Sequence, residues 1–168
     1  CEDFTTGVLP VQDDYIQLLG RLAGARILGL EGQFQFLDDL ADPERADTAE
    51  AIIQVYTAYL RPMTSNTERA TAFALYRAGR MDVLWAWDQV FLQDVLGDTA
   101  MRALELTDAY LLDERNGRFM DRVRDEIEAG GVVMAVGYAH LSGQSGLVEM
   151  LRADGHTVTR VVVPGEVR

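Results

Sequence analysis

Apolar residues recur along this chain in two rhythms, and the helical one covers most of it. Val11, Tyr15, Ile16, Leu18, Leu19 and Leu22 share one face of a predicted helix that Gly24 stops, and Phe34, Phe36, Leu37 and Leu40 predict a short second helix. Asp42-Pro43 is a start signal, with Asp as the cap and Pro in the first helical position. The helix it opens carries Ala51, Ile52, Val55, Tyr56, Tyr59 and Leu60 on one face and should end before Pro62. Ser65-Asn66-Thr67-Glu68 fits a capping box for a helix through Ala78, with Gly79 as its stop. Asp82 opens another, bearing Leu84, Trp85, Trp87, Val90, Phe91 and Val95 up to Gly97, and Asp98 a further one with Met101, Leu104 and Leu106. A helix with Phe119, Met120, Val123 and Ile127 on its face runs into Gly130-Gly131, and Leu147, Val148 and Leu151 mark a last one, with Ser145 as candidate N-cap.

The second rhythm is that of short apolar, β-branched runs. Residues 25–30, 132–136 and 157–163 predict strands, and the run after Gly131, wholly apolar and bounded by glycines, suits a central parallel strand covered on both faces. Strand 132–136, helix and strand 157–163 form a βαβ unit of about the minimum size. The expected fold is therefore α/β, a small and mostly parallel sheet with a helical insertion at about residues 43–112 between strands, in one domain spanning 1–168. The insertion's aromatic residues have ordinary amphipathic spacing and are assigned to core. His140 falls just past the carboxyl end of the predicted strand 132–136, where open α/β sheets place their ligands. Glu31, directly after the strand 25–30, is a ligand, a helix-capping group, or only the first exposed residue. Taken alone, Arg115 and Asn116 read as plain helix surface.

Composition narrows the partners. The net charge is −12 and all fifteen basic residues are arginine, which argues against nucleic acid or an anionic membrane, since each demands a basic face. One cysteine, Cys1, excludes an internal disulfide. No apolar run reaches the length of a membrane span and no signal peptide is visible. A start at Cys rather than Met points to a processed, truncated or incompletely represented chain; a mature bacterial lipoprotein begins this way.

Three stretches in order carry a family likeness. They are Leu28-Gly29-Leu30-Glu31, Leu112-Asp113-Glu114-Arg115-Asn116, and the run from Val133 through Gly137-Tyr138-Ala139-His140-Leu141-Ser142-Gly143, trailed by Gly146-Leu147 and Leu151 to Val158. Together they resemble the TraB/GumN family, which is related to the Tiki metalloproteases and more remotely to erythromycin esterase and ChaN-type proteins. The likeness runs from about Leu19 to Val162, its carboxyl-terminal part being the specific one. It implies a parallel or mixed sheet with a helical insertion and, in the Tiki branch, a divalent-metal hydrolase that uses two GxxH motifs and a glutamate. Gly137 and His140 fall on the second GxxH, Glu31 on the glutamate, and Arg115 and Asn116 on the family's arginine–asparagine pair. The first GxxH belongs on a strand that would precede Cys1. The other histidine, His156, lies in the turn between the last helix and the last predicted strand and is not assigned as a ligand. The chain thus resembles the carboxyl-terminal two thirds of a family member.

What the resemblance implies chemically is hydrolysis, of peptide bonds in the expected case, with a divalent ion such as Mn, Co or Zn held by His140 and Glu31 and a water activated on it. Glu31 is then a ligand or a general base. Arg115 would hold a substrate carboxylate, a developing oxyanion, or Glu31 itself; Asn116 would orient a ligand or water; Tyr138 would donate a hydrogen bond to substrate. The competing expectations are that His140 only satisfies backbone groups in its turn, that the chain is a non-catalytic peptide-binding or regulatory protein, and that an uncovered sheet edge pairs two copies. Family members often bear export signals, so a periplasmic or membrane-anchored place outside the cytoplasm is expected.

Overall fold

The computed structural model describes residues 12–60 and 66–162, and within that range the fold is helical. Helices α1 (Gln12–Leu22), α2 (Gln35–Ala41), α3 (Ala46–Tyr59), α4 (Asn66–Arg77), α5 (Met81–Leu96), α6 (Ala100–Asp108), α7 (Arg115–Ala129) and α8 (Leu147–Ala153) follow in order. Their positions match the periodic segments of the sequence closely. Asp42 caps as expected: its carboxylate accepts from the Glu44 N–H at 2.9 Å, opening the 3-10 turn Pro43–Arg45 that leads into α3. The Ser65 capping box and the ends of helix 11–22 and strand 157–163, at Val11 and Val163, lie outside the described residues.

α6 and α7 are one continuous rod, because a π-helical segment, Ala109–Glu114, joins them without a break. That rod spans two cores. In the first, small residues let helices approach closely: Ala51, Val55 and Ala58 of α3 meet Ala100 and Ala103 of α6, and Leu92 of α5 closes the cluster. The aromatic residues of α5 finish it from the side, with Trp87 stacked on Phe91 at 5.6 Å and Phe91 on Tyr59 at 5.3 Å. Tyr56 and Leu60, predicted on the inner face of α3, are instead exposed.

The second core corrects the expected fold. Phe119 and Met120 of α7 and Leu147 of α8 bury one another, and Leu30, Met134, Val136 and Leu151 pack against them. Among the described residues there is no strand and no sheet: 25–30, 131–137 and 156–162 have no ladder pairing. The α/β architecture with a small, mostly parallel sheet, of EreA/ChaN-like or Tiki/TraB-like core, is therefore not what the chain adopts here, and the helices expected as an insertion between strands make the first core themselves. The reason lies in what the pattern encodes. Residues 133–136 do alternate, with Met134 and Val136 turned to the helices while Val133 is 89% exposed. The run was expected to be covered on both faces, but among the described residues helices cover one side only and no neighbouring backbone supplies a ladder. An apolar run specifies which side chains favour burial, and α7 and α8 satisfy that demand without hydrogen-bond pairing. The sheet edge on which pairing of two copies was expected is likewise not found among the described residues. No described helix is long and apolar enough to cross a membrane.

Candidate functional site

Gly137 leads into a 3-10 turn, Tyr138–Leu141, in which the His140 N–H donates to the Gly137 carbonyl at 3.0 Å. Facing the turn are the first residues of α7. Asn116 is 1% exposed and forms its centre. Its amide nitrogen donates to two backbone carbonyls, of His140 at 3.2 Å and Ser145 at 2.8 Å. Carbonyls only accept, so the amide orientation is determined and Oδ1 must face His140 Nδ1, 2.8 Å away. Nδ1 therefore carries the ring proton. In the neutral imidazole the lone pair is left on Nε2.

Phe119, one helical turn beyond Arg115, is the platform on which the charged groups meet. Its ring centroid lies 5.1 Å from that of His140 and 5.4 Å from the guanidinium carbon of Arg115. Arg115 in turn grips Glu31 with both tines, Nε to Oε1 at 2.9 Å and Nη2 to Oε2 at 2.7 Å, the two side chains being only 22% and 15% exposed. Planar fork meets planar carboxylate in the geometry that gives such pairs their strength. Burial is the first cause holding the His140 pKa below its ordinary value, the Arg115 charge is the second, and Glu31 pulls the other way. The imidazole is thus kept neutral, with a basic nitrogen free.

Of the residues singled out in the sequence, Glu31, Arg115, Asn116 and His140 come together around Phe119. Tyr138 turns elsewhere, its ring edge-on to Tyr76 of α4 at 6.1 Å. His156 is exposed beyond the end of α8. Ser145 is not the cap of α8; Gly146 takes that place, and the Ser145 hydroxyl donates to Asp113. Ser142 Oγ is buried two residues past His140 without a hydrogen-bond partner among the described residues.

A divalent ion needs several donors. The site offers His140 Nε2, but both Glu31 oxygens are held by Arg115, and among the described residues no group of three or more His, Cys, Asp or Glu side chains could hold a metal. The donors present do not by themselves fit a complete metal centre.

The sequence profile of the TraB/PrgY/gumN family matches residues 5–160. The chain belongs to that family. No curated protein and no solved structure gives a match. Within this TraB/PrgY/gumN chain, Glu31, Arg115, Asn116 and His140 are linked by the contacts described above.

Sequence reasoning missed a second network beside the first. Asp39 accepts from Tyr110 Oη at 2.9 Å, from Gln35 at 3.0 Å and from Arg118, while Glu114 is clamped by Arg45 at 2.8 Å through both nitrogens and also meets Arg118. Burial raises the Asp39 pKa, but the hydrogen bonds from Arg118, Gln35 and Tyr110 outweigh it and leave it below the usual carboxylate range. Burial first and Asp39 next push the Tyr110 phenol up to about 12. The spacing of Glu114, Arg115 and Arg118 on one helix is the sequence signal that could have pointed here.

The turn holding His140 closes on Gly146. A Cβ added there would lie 2.5 Å from the Ser142 carbonyl oxygen and 2.7 Å from that of Leu141, both backbone atoms that cannot swing aside. Gly146→Ala is expected to lower stability by about 1–3 kcal/mol through overpacking. Thermal unfolding measures it, and an unchanged midpoint would show that the turn is looser than this contact requires.

Proposed function

We propose that the protein is a TraB/GumN-type hydrolase acting on peptide bonds, with His140 Nε2 as the group that receives a proton at the reacting centre. The observation that carries this reading is the tautomer imposed by Asn116: a buried amide holds Nδ1–H, so the basic nitrogen faces away from the backbone in a ring kept neutral. A neutral imidazole near neutral pH suits the removal of a proton from water attacking a carbonyl. Arg115 keeps Nη1 outside its pair with Glu31, leaving donors for a carbonyl oxygen as negative charge develops on it. Glu31 fixes the plane of that guanidinium. The Nε2 lone pair can take a proton or a divalent ion but not both, and with Glu31 held by Arg115 the described residues do not complete a site for Mn, Co or Zn.

A second reading is a peptide-binding or regulatory protein without turnover. It is favoured by the Glu31 carboxylate, whose two oxygens are both engaged, and by the absence of a three-donor group among the described residues.

Calorimetric titration with Mn, Co and Zn, followed by assays of short peptides with and without the bound ion, separates the two. Hydrolysis is expected, and His140→Ala should reduce it by about 100-fold or more while the fold survives. Unchanged turnover in that variant would remove His140 from the chemistry. Peptide binding without hydrolysis by the unaltered protein would establish the second reading.

A further inference from the structure

Arg115, Arg118 and Arg122 form one stripe on α7 at the spacing i, i+3, i+7. The first is held by Glu31, and the second by Asp39 and Glu114. Arg122 has no ion pair, hydrogen bond or aromatic contact among the described residues, although the chain carries 27 acidic residues against 15 arginines. It lines a cleft of about 350 Å³ between the segment that follows residue 29 and α7, shared with Glu31, Gly32, Gln35, Arg118 and Asp121. A surface this acidic repels anions at long range, so an uncommitted guanidinium at a cleft wall selects by close, planar contact.

We propose that Arg122 anchors the free carboxylate at the carboxyl terminus of a short peptide lying in this cleft. Seven residues of α-helix separate Arg115 from Arg122, a rise of about 10 Å. An extended peptide advances about 3.4 Å per residue. A terminal carboxylate on Arg122 therefore places a peptide bond about three residues upstream at the level of Arg115, whose partner Glu31 lines the same cleft. This deepens the proposed function, whose reacting centre it uses, by assigning the substrate class as peptides with a free carboxyl end.

The test is calorimetric binding of N-acetyl-tetraalanine as the free acid and as the carboxamide to the full chain, with hydrolysis of both followed in parallel. The acid should bind about tenfold more tightly than the amide, the worth of one guanidinium–carboxylate contact. Arg122→Gln should erase that preference without moving the unfolding midpoint, since Arg122 holds nothing else in place, and Arg122→Lys should restore part of it. Equal affinity for acid and amide, no binding of either, or a preference that survives Arg122→Gln overturns the assignment. Inorganic phosphate binding as tightly as the peptide acid overturns it too, in favour of a phosphate site. A preference for the acid without any hydrolysis leaves the anchor standing and removes the hydrolase reading; equal hydrolysis of both forms does the reverse.

Discussion

Asn116→Asp is expected to be among the most damaging single-atom changes in this protein. The shape is kept, but the amide nitrogen that donates to the His140 and Ser145 carbonyls becomes an oxygen that can only accept, facing two other acceptors at 3.2 and 2.8 Å. Two hydrogen bonds are lost, their carbonyl partners go unsatisfied, and a carboxylate is buried in their place. The combined cost is about 3–5 kcal/mol. The same substitution sets a negative charge against His140 Nδ1, so the imidazole pKa should move from below its ordinary value to above it. Asn116→Ala should cost less, about 2–3 kcal/mol, and free the ring to adopt either tautomer. Urea unfolding measures the stabilities, and nitrogen chemical shifts of the imidazole report the tautomer. A stability within about 0.5 kcal/mol of the unaltered protein, typical of surface changes, would mean that Asn116 does not hold the turn as its contacts indicate.

Opposite shifts of one histidine are expected from the two halves of one ion pair. Glu31 raises the His140 pKa and Arg115 lowers it. Glu31→Gln should therefore depress it further, since the Arg115 charge is then unopposed, whereas Arg115→Gln should raise it. Each variant also strips a partly buried charge of its partner, at a cost of about 2–4 kcal/mol after allowing for the side chains' remaining exposure. The unaltered protein carries a pH signature of the same origin. Because the folded pKa of His140 lies below its ordinary 6.5, the unfolded chain binds the proton more readily; stability from this group is complete above about 6.5 and declines as pH falls through the folded value. Titration of the His140 ring resonances in the three proteins checks both the order and the sign. Movement of both variants in one direction would show that the imidazole does not sense the pair.

The helices were legible because each depends mainly on its own periodic face and its own caps. Asp42-Pro43, the apolar stripe of α3 and the Gly130-Gly131 stop sit where local chemistry puts them. Strands were not legible in the same way, since a ladder requires a neighbour that no local pattern specifies. Met134 and Val136 find enough cover on α7 and α8, and Val133 is left bare. Of the site, Glu31, Arg115, Asn116 and His140 were identified through motif likeness. Composition alone would have left Asn116 on the helix surface, where polar residues usually sit, although it is among the most deeply buried side chains. Phe119 is on the predicted apolar face of its helix and is core; that its ring also carries His140 and Arg115 depends on the approach of two segments more than twenty residues apart. The Asp39–Arg118–Glu114 network depends equally on long-range docking, and Gly146 on a backbone contact that only coordinates reveal.

The π-helical segment at Ala109–Glu114 sets the angular phase between the two halves of the rod. Its i→i+5 bonding accommodates a residue that regular winding would not, and everything downstream is turned accordingly. An α-helix advances about 100° per residue. Rewinding the same residues between Ala109 and Glu114 as regular α-helix would swing Arg115, Asn116 and Phe119 by roughly that angle, away from Glu31 and His140, while α3, α5 and α6 stayed packed as they are. The winding of this short span thus acts as a key: the first core tolerates its change, but the grouping of Glu31, Arg115, Asn116 and His140 does not.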